Sequence, residues 1–404
     1  RVVDVARLLN STSFGFVLPQ ARLYREFNRV GFRIGSSENP RNINLLKYIA
    51  WMFDRKHTPE ETSGARSYED RRNAERDRQA EQSLAGRDIG PLPEVVNPDR
   101  KAACERNFQL FCESYFPETY ALAWSPDHLK VIEKIETAVL RGGLFALALP
   151  RGSGKTTITE SAALWSMLYG HREFVVLIGA TESAALELLD SLKTELEVNE
   201  RLAEDFPEVC YPVAQLEGIA NRCAGQLYKG ERTRITWTSN EIVLPTVEGS
   251  RASGIIVRVA GITGRIRGMK FKRSDGRSVR PSLVVIDDPQ TSESAGSLEQ
   301  TRKRVRVLAG DILGLAGPGQ KISGIMPCTI IRPGDMADII LNRNTHPDWN
   351  GEKTRMVYRF PTNMKLWEEY AEIRAEALRT EGNFQKATEF YLANREAMDA
   401  GAEV

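Results

Sequence analysis

Six apolar residues, Leu144 to Leu149, run unbroken into Pro150-Arg151-Gly152-Ser153-Gly154-Lys155-Thr156-Thr157, and a helical pattern takes over from Ile158 to Trp165. This junction leaves the chain few ways to fold. An unbroken aliphatic run is a strand buried on both faces, which calls for a parallel sheet covered by helices. Two closely spaced glycines between strand and helix let successive backbone N–H groups turn inward around an anion, and the opening helix adds its positive dipole end. The sequence therefore predicts an α/β fold with a phosphate-binding loop.

The side chains in the loop suit a nucleotide triphosphate with Mg²⁺. Gly152, Ser153, Gly154 and Thr157 shape the cradle, and Lys155 supplies a full charge to the β- and γ-phosphates. The Thr156 hydroxyl meets a Mg²⁺ ion that keeps most of its waters. The usual pattern places a further glycine where Leu149 stands, and Pro150-Arg151 fills the first half of the loop instead. Proline sets φ as the strand ends, and Arg151 brings a permanent cation beside the phosphates. The competing interpretation is a plain glycine turn carrying a surface lysine.

A second strand-like run, Leu283-Val284-Val285-Ile286, delivers Asp287-Asp288-Pro289-Gln290 at its end. Asp287 is expected to hold Mg²⁺ through water, and Asp288 to orient the attacking water and accept its proton. The plainer alternative is two aspartates capping a turn before Pro289. A third run, Ile322 to Ile325, continues to Cys328 and Thr329, whose hydroxyl is placed to sense the γ-phosphate. About twenty-five residues before the loop, His128 or a stacked Trp124 contacts the base, or else both are packing residues.

Composition sets the surroundings. A chain of 404 residues with 41% hydrophobic content can build a large core, and the formal charge of +1 makes no overall case for a polyanionic partner. Five scattered cysteines without a Cys-x-x-Cys pair point to reduced thiols and away from structural zinc. No apolar run reaches the length of a membrane span, so no membrane association is expected. Residues 1–57 read as a helix-turn-helix-like basic unit, with ten Lys/Arg against four Asp/Glu, a balance of +6, suited to duplex DNA or, alternatively, to a protein interface. A charged linker follows over 58–100, then a nucleotide-binding domain over 101–360 and a helical hairpin over 361–404. Further strands are expected at Phe174–Ile178, Ile235–Val243 and Ile255–Val259, with Arg234 to Leu244 alternating as an antiparallel pair would. Thr181 is placed to cap a helix over Ala184–Leu196. The chain opens on Arg1 and is expected to be a fragment.

Taken together, the Pro-Arg-Gly-Ser-Gly-Lys-Thr loop, the Asp-Asp-Pro-Gln strand end and Cys328-Thr329-Ile330-Ile331-Arg332-Pro333-Gly334-Asp335 resemble the large terminase subunit of tailed bacteriophages, over roughly residues 89–404. The resemblance implies a P-loop ATPase of the RecA/ASCE-like class that uses ATP and Mg²⁺ to drive viral double-stranded DNA into a procapsid. It implies that Arg151 acts on ATP, that Thr329 couples hydrolysis to movement, and that Asp335 is the downstream acid that recurs in the family. The family usually carries glutamine where this chain has His128. Gly264-Arg265-Ile266-Arg267-Gly268 is similar to its Arg-Gly element, with Arg265 or Arg267 touching DNA or a neighbouring subunit's nucleotide, or simply an exposed basic loop. Also implied are a portal protein and a small terminase subunit as partners, a homo-oligomeric ring on the procapsid, and residence in the cytoplasm of the infected host rather than in the virion. The family's RNase H-like nuclease domain is not expected here, because the acids beyond Phe360 fall on helices, and a longer native protein is expected. A helicase-like DNA remodeller would share the loop and the paired acids but needs a second RecA-like lobe. A nucleotide-binding DNA-recognition scaffold is the remaining alternative.

Overall fold

The apolar runs become strands because two separate cores claim their alternate residues. In the computed structural model, which describes residues 86–403 except Arg265, Ser274 and Pro318, and of the first 85 residues Arg7 alone, Val175, Leu177, Leu283 and Val285 enter one core. Phe174, Val176, Ile178, Val284 and Ile286 enter the other. A period of two with both phases apolar is what a sheet covered on both faces requires. The chain divides into two units, Arg1–Ala80 and Glu81–Val404, and the second is described below. The expected helix-turn-helix-like unit and the linker up to residue 85 lie outside the described residues.

Helices α1 (Pro98–Cys104), α2 (Phe108–Tyr115) and α3 (Pro126–Leu140) precede strand β1 (Leu144–Ala148), α4 (Lys155–Leu168), β2 (Phe174–Gly179) and α5 (Glu182–Val198). Short helices α6 (Glu200–Asp205) and α7 (Pro207–Ala214) and small strands β3 (Leu227–Tyr228) and β4 (Glu231–Arg232) lead to β5 (Thr236–Trp237), β6 (Glu241–Val243) and β7 (Ile256–Gly261). Next come β8 (Phe271–Lys272), β9 (Ser278–Val279), β10 (Leu283–Asp287), α8 (Ser292–Gly296) and α9 (Leu298–Val307), the last running into a π-helical turn at Leu308–Ile312. β11 (Ser323–Cys328), α10 (Met336–Ile340), β12 (Glu352–Lys353), α11 (Met364–Thr380) and α12 (Gln385–Asp399) complete the chain.

Eight strands form one sheet in the order β12-β1-β11-β10-β2-β7-β6-β5. Those from β12 to β7 are parallel, and β6 and β5 fold back as antiparallel neighbours. The run Ile235–Val243 is thus a hairpin rather than one strand, because the exposed Ser239-Asn240 turn breaks it. Both edge strands are two residues long, which leaves little unpaired backbone for another chain.

Helix starts follow the local chemistry. Thr181 accepts from the Ala184 amide and caps α5, and Ser125 accepts from the His128 amide and caps α3, whose first position is Pro126. The end of the expected linker is fastened to the body: the Asn97 amide and the Arg100 guanidinium both donate to the fully buried Asp205. Trp165 on α4 packs against Phe108 of α2 and donates its indole N–H to the Cys104 carbonyl, fixing α4 beneath the sheet. α11 and α12 pack on each other, and Trp367 donates to the Met398 carbonyl. Cys104, Cys112, Cys210 and Cys328 are free and buried, and burial pushes their thiols up. Among the described residues no helix is long and apolar enough to cross a membrane.

Candidate functional site

β11 lies between β1 and β10, so the C-terminal ends of three strands converge where the glycine loop begins. The Leu149 amide donates to the Cys328 carbonyl and the Asp288 amide to the Pro327 carbonyl, at 3.1 Å each. Those two bonds hold the loop after β1, the acids at the end of β10 and Thr329 after β11 in one row.

Gly152 and Gly154 both sit at positive φ, 80° and 70°, and no atom lies within 4 Å of where a Cβ on either would be. The backbone conformation, not crowding, is what requires glycine at both positions. No side chain caps the first turn of α4, whose leading N–H groups lack intrahelical acceptors. Ser153 closes the turn by donating to the Pro150 carbonyl at 2.8 Å. Arg151 is exposed on the loop, and among the described residues no acid pairs with it. Thr157 is half-buried on the first turn of α4.

His128 braces the loop from behind. Its Nε2 lies 3.0 Å from the Ser153 carbonyl oxygen and its Nδ1 2.8 Å from the Ser125 hydroxyl. The carbonyl can only accept, so the proton belongs on Nε2 and the Ser125 hydroxyl donates to Nδ1. Both nitrogens are thereby committed to the protein. Trp124 packs at 4.9 Å on Tyr120 and donates to Glu113. A cleft of about 320 Å³ lies beside His128, between Pro150 and the Arg355–Tyr358 segment.

Lys155 is buried, and its ammonium lies 3.3 Å from the more exposed Asp288 carboxylate. Asp288 holds φ at +35°, which aspartate tolerates better than most residues. The Thr156 hydroxyl donates to Asp287 at 3.0 Å. Burial, and then the neighbouring Asp288 charge, push the Asp287 carboxyl up to about 6 against the opposing hydrogen bond from Thr156. This donor set fits Mg²⁺: one hydroxyl and one carboxylate, both hard oxygens, at a carboxylate whose charge is under-compensated. Among the described residues no three His, Cys, Asp or Glu side chains gather to cage a metal unaided.

Behind this row lies a buried clamp. Gln290 donates its amide to the Thr329 carbonyl at 3.0 Å and to Asp335 at 2.8 Å, and accepts from the Met336 amide. Asp335 is 1% exposed and also accepts from the amides of Ile331, Arg332 and Asp338. It therefore caps α10 and ties the loop after β11 to the loop after β10. The Thr329 hydroxyl is buried without a hydrogen-bond partner. Arg267 is exposed and pairs with Asp311, while Arg265 lies outside the described residues.

The sequence did not reveal the roles of three residues that bear on the site. Glu160, one turn beyond Thr156 on α4, is pushed up to about 7 by burial and by Asp287 and Glu195; its i+4 spacing from Thr156 was the available signal. Gln290 was visible only as the end of a motif. Arg304 is 6% exposed, with its Nη1 3.4 Å from the carbonyls of both Ala180 and Pro289 and its Nε unpartnered. Nothing in the basic run Arg302-Lys303-Arg304 distinguishes it from a solvated face. Compared with known proteins, the sequence matches no protein-family model and no curated protein, so the chemistry rests on these residues themselves.

Proposed function

We propose that this chain is the RecA/ASCE-like P-loop ATPase part of a terminase large subunit, hydrolysing ATP with Mg²⁺ to drive double-stranded DNA into a procapsid. The observation that carries this is the single row formed by Lys155 and Thr156 after β1, Thr329 after β11 and Asp287-Asp288 at the end of β10. A nucleotide lies along the loop with its terminal phosphates at the start of α4, where backbone N–H groups and the dipole favour negative charge. Thr156 and Asp287 would hold Mg²⁺, and the ion would supply neutralisation of the phosphate charge that develops on the leaving oxygen.

Lys155 exchanges its Asp288 partner for the β/γ-phosphates, because a triphosphate is the stronger anion. Asp288 is then free to orient water and take its proton, and Arg151 adds charge stabilisation from the solvent side. His128 holds the Ser153 carbonyl and so keeps the loop in its anion-binding shape. Thr329, tied through Gln290 to the loop that carries Asp288, responds when the γ-phosphate leaves. Duplex DNA, a portal protein and a small terminase subunit are the proposed partners, in a homo-oligomeric ring in the host cytoplasm.

The test is phosphate release from Mg-ATP by the purified chain, with and without duplex DNA. Lys155→Ala should reduce turnover by at least ~100-fold, the scale of losing one positioned charge in a phosphoryl-transfer site. Unchanged turnover in that variant, or none in the wild type, would refute the proposal.

A further inference from the structure

At the opposite end of the sheet, where β2 and β7 begin, a cavity of about 460 Å³ is lined in part by the β8–β9 ribbon. Four cations line it, Arg234, Lys272, Arg273 and Arg277, against one carboxylate, Asp275. That carboxylate is already taken by Arg277 at 2.7 Å, and Arg273 reaches Glu173 only at 3.5 Å. Among the described residues no ion pair involves Arg234 or Lys272. Like charges gathered with so little compensation repel one another, and a bound anion removes that repulsion.

Two local features mark the cavity as a built anion seat. Arg234 holds φ at +53°, between the buried Thr233 and Ile235. Thr233 is locked to Gln226 through its amide and its hydroxyl, the latter at 2.8 Å. A bulky residue kept in the left-handed region is strained, and glycine would avoid that strain. The second feature is Arg273, whose Nε is buried without an acceptor although its Nη2 donates to the Gly254 carbonyl. Thr246 and Ser253 add hydroxyls to the wall, Val243 and Phe271 supply an apolar part, and Arg234, Lys272 and Arg277 are solvent-exposed and so within reach of a large anion.

We propose that this cavity seats a phosphate of a nucleic-acid backbone. The choice of duplex DNA as the source of that phosphate rests on the translocase reading above. The six residues of β2 span roughly 17 Å, so the seat is well separated from the row at the other end of the strands. A contact there positions DNA without reading its sequence.

The experiment uses the full chain and duplex DNA binding over a salt series, comparing wild type with Arg234→Gly, Lys272→Gln and the double variant. Arg234→Gly removes the guanidinium while relieving the positive φ, so loss of fold cannot account for its effect. The double variant should lower the slope of log K against log salt by about 0.9, the value of one phosphate, and bind roughly tenfold more weakly at about 0.1 M salt, with each single variant falling between it and wild type. Any duplex contact made by residues 1–57 is common to all four proteins and cancels in the comparison. A double variant with the wild-type slope and affinity overturns the seat but leaves the translocase reading standing. A wild type that does not bind duplex overturns the seat, as does a cavity whose variants lose inorganic phosphate but keep duplex. ATP turnover measured alongside tests the other proposal separately: a fall in slope without any turnover keeps the phosphate seat and removes the translocase.

Discussion

Replacing Asp335 tests whether the row of strand ends is held by the clamp behind it. Four donors converge on this carboxylate: the Ile331 amide at 2.7 Å, the Gln290 side chain at 2.8 Å, the Asp338 amide at 2.9 Å and the Arg332 amide at 3.1 Å. In Asp335→Ala the Arg332 amide rehydrates, because that residue is exposed. The Gln290 amide keeps the Thr329 carbonyl but loses its charged acceptor, and the Ile331 amide is left half-buried without one. At about 1–3 kcal/mol for each stranded buried donor and about 1 kcal/mol for the lost cap of α10, the cost comes to roughly 4 kcal/mol. Asp335→Asn keeps one oxygen for the three donors on Oδ2 and turns an N–H toward the Asp338 amide, which removes only the cap and costs about 1–2 kcal/mol. Urea unfolding, followed as a shift in midpoint at constant m, measures both. A loss under ~1 kcal/mol in the alanine variant, or equal losses in the two, would refute the clamp role of Asp335.

Two further outcomes are expected. Asp288→Asn keeps the left-handed backbone, because asparagine adopts it readily, so nucleotide binding should persist while turnover falls at least ~100-fold; phosphate release at the wild-type rate would remove the role assigned to Asp288. Glu160 has an ordinary value of 4.5 and is pushed up to about 7 by burial and by the charges of Asp287 and Glu195. Between those two pH values the folded chain holds a proton that the unfolded chain has lost, so stability falls as pH rises through the window. Glu160→Gln should make that fall shallower in thermal unfolding and leave the variant the more stable at pH 8, and a profile identical to wild type would show that the carboxyl is solvated.

Much of the candidate site was legible because its signals are local. Gly152, Gly154, Lys155 and Thr156 are neighbours in sequence, and the backbone geometry they need is set by residue types within a few positions. The cap at Thr181 was legible in the same way, since a cap bonds an amide three residues on, whereas the cap at Ser125 emerged only from the structure. His128 was visible as a residue but not as a brace. Its partner Ser153 lies 25 residues away, and no spacing rule connects a helix start to a later loop.

By itself, then, the sequence determined the α/β class, the buried parallel strands, the glycine loop and the pairing of two acids with a strand end, all consequences of short-range periodicity and residue chemistry. Tertiary structure alone decided that β11 lies between β1 and β10, which brings Thr329 into line with Lys155 and Asp288. It alone gathered Arg234, Lys272, Arg273 and Arg277 around one cavity and buried Arg304 among carbonyls. The reason is physical: strand order and side-chain burial depend on contacts between segments many residues apart, and an apolar run carries no label for the neighbour it will pair with.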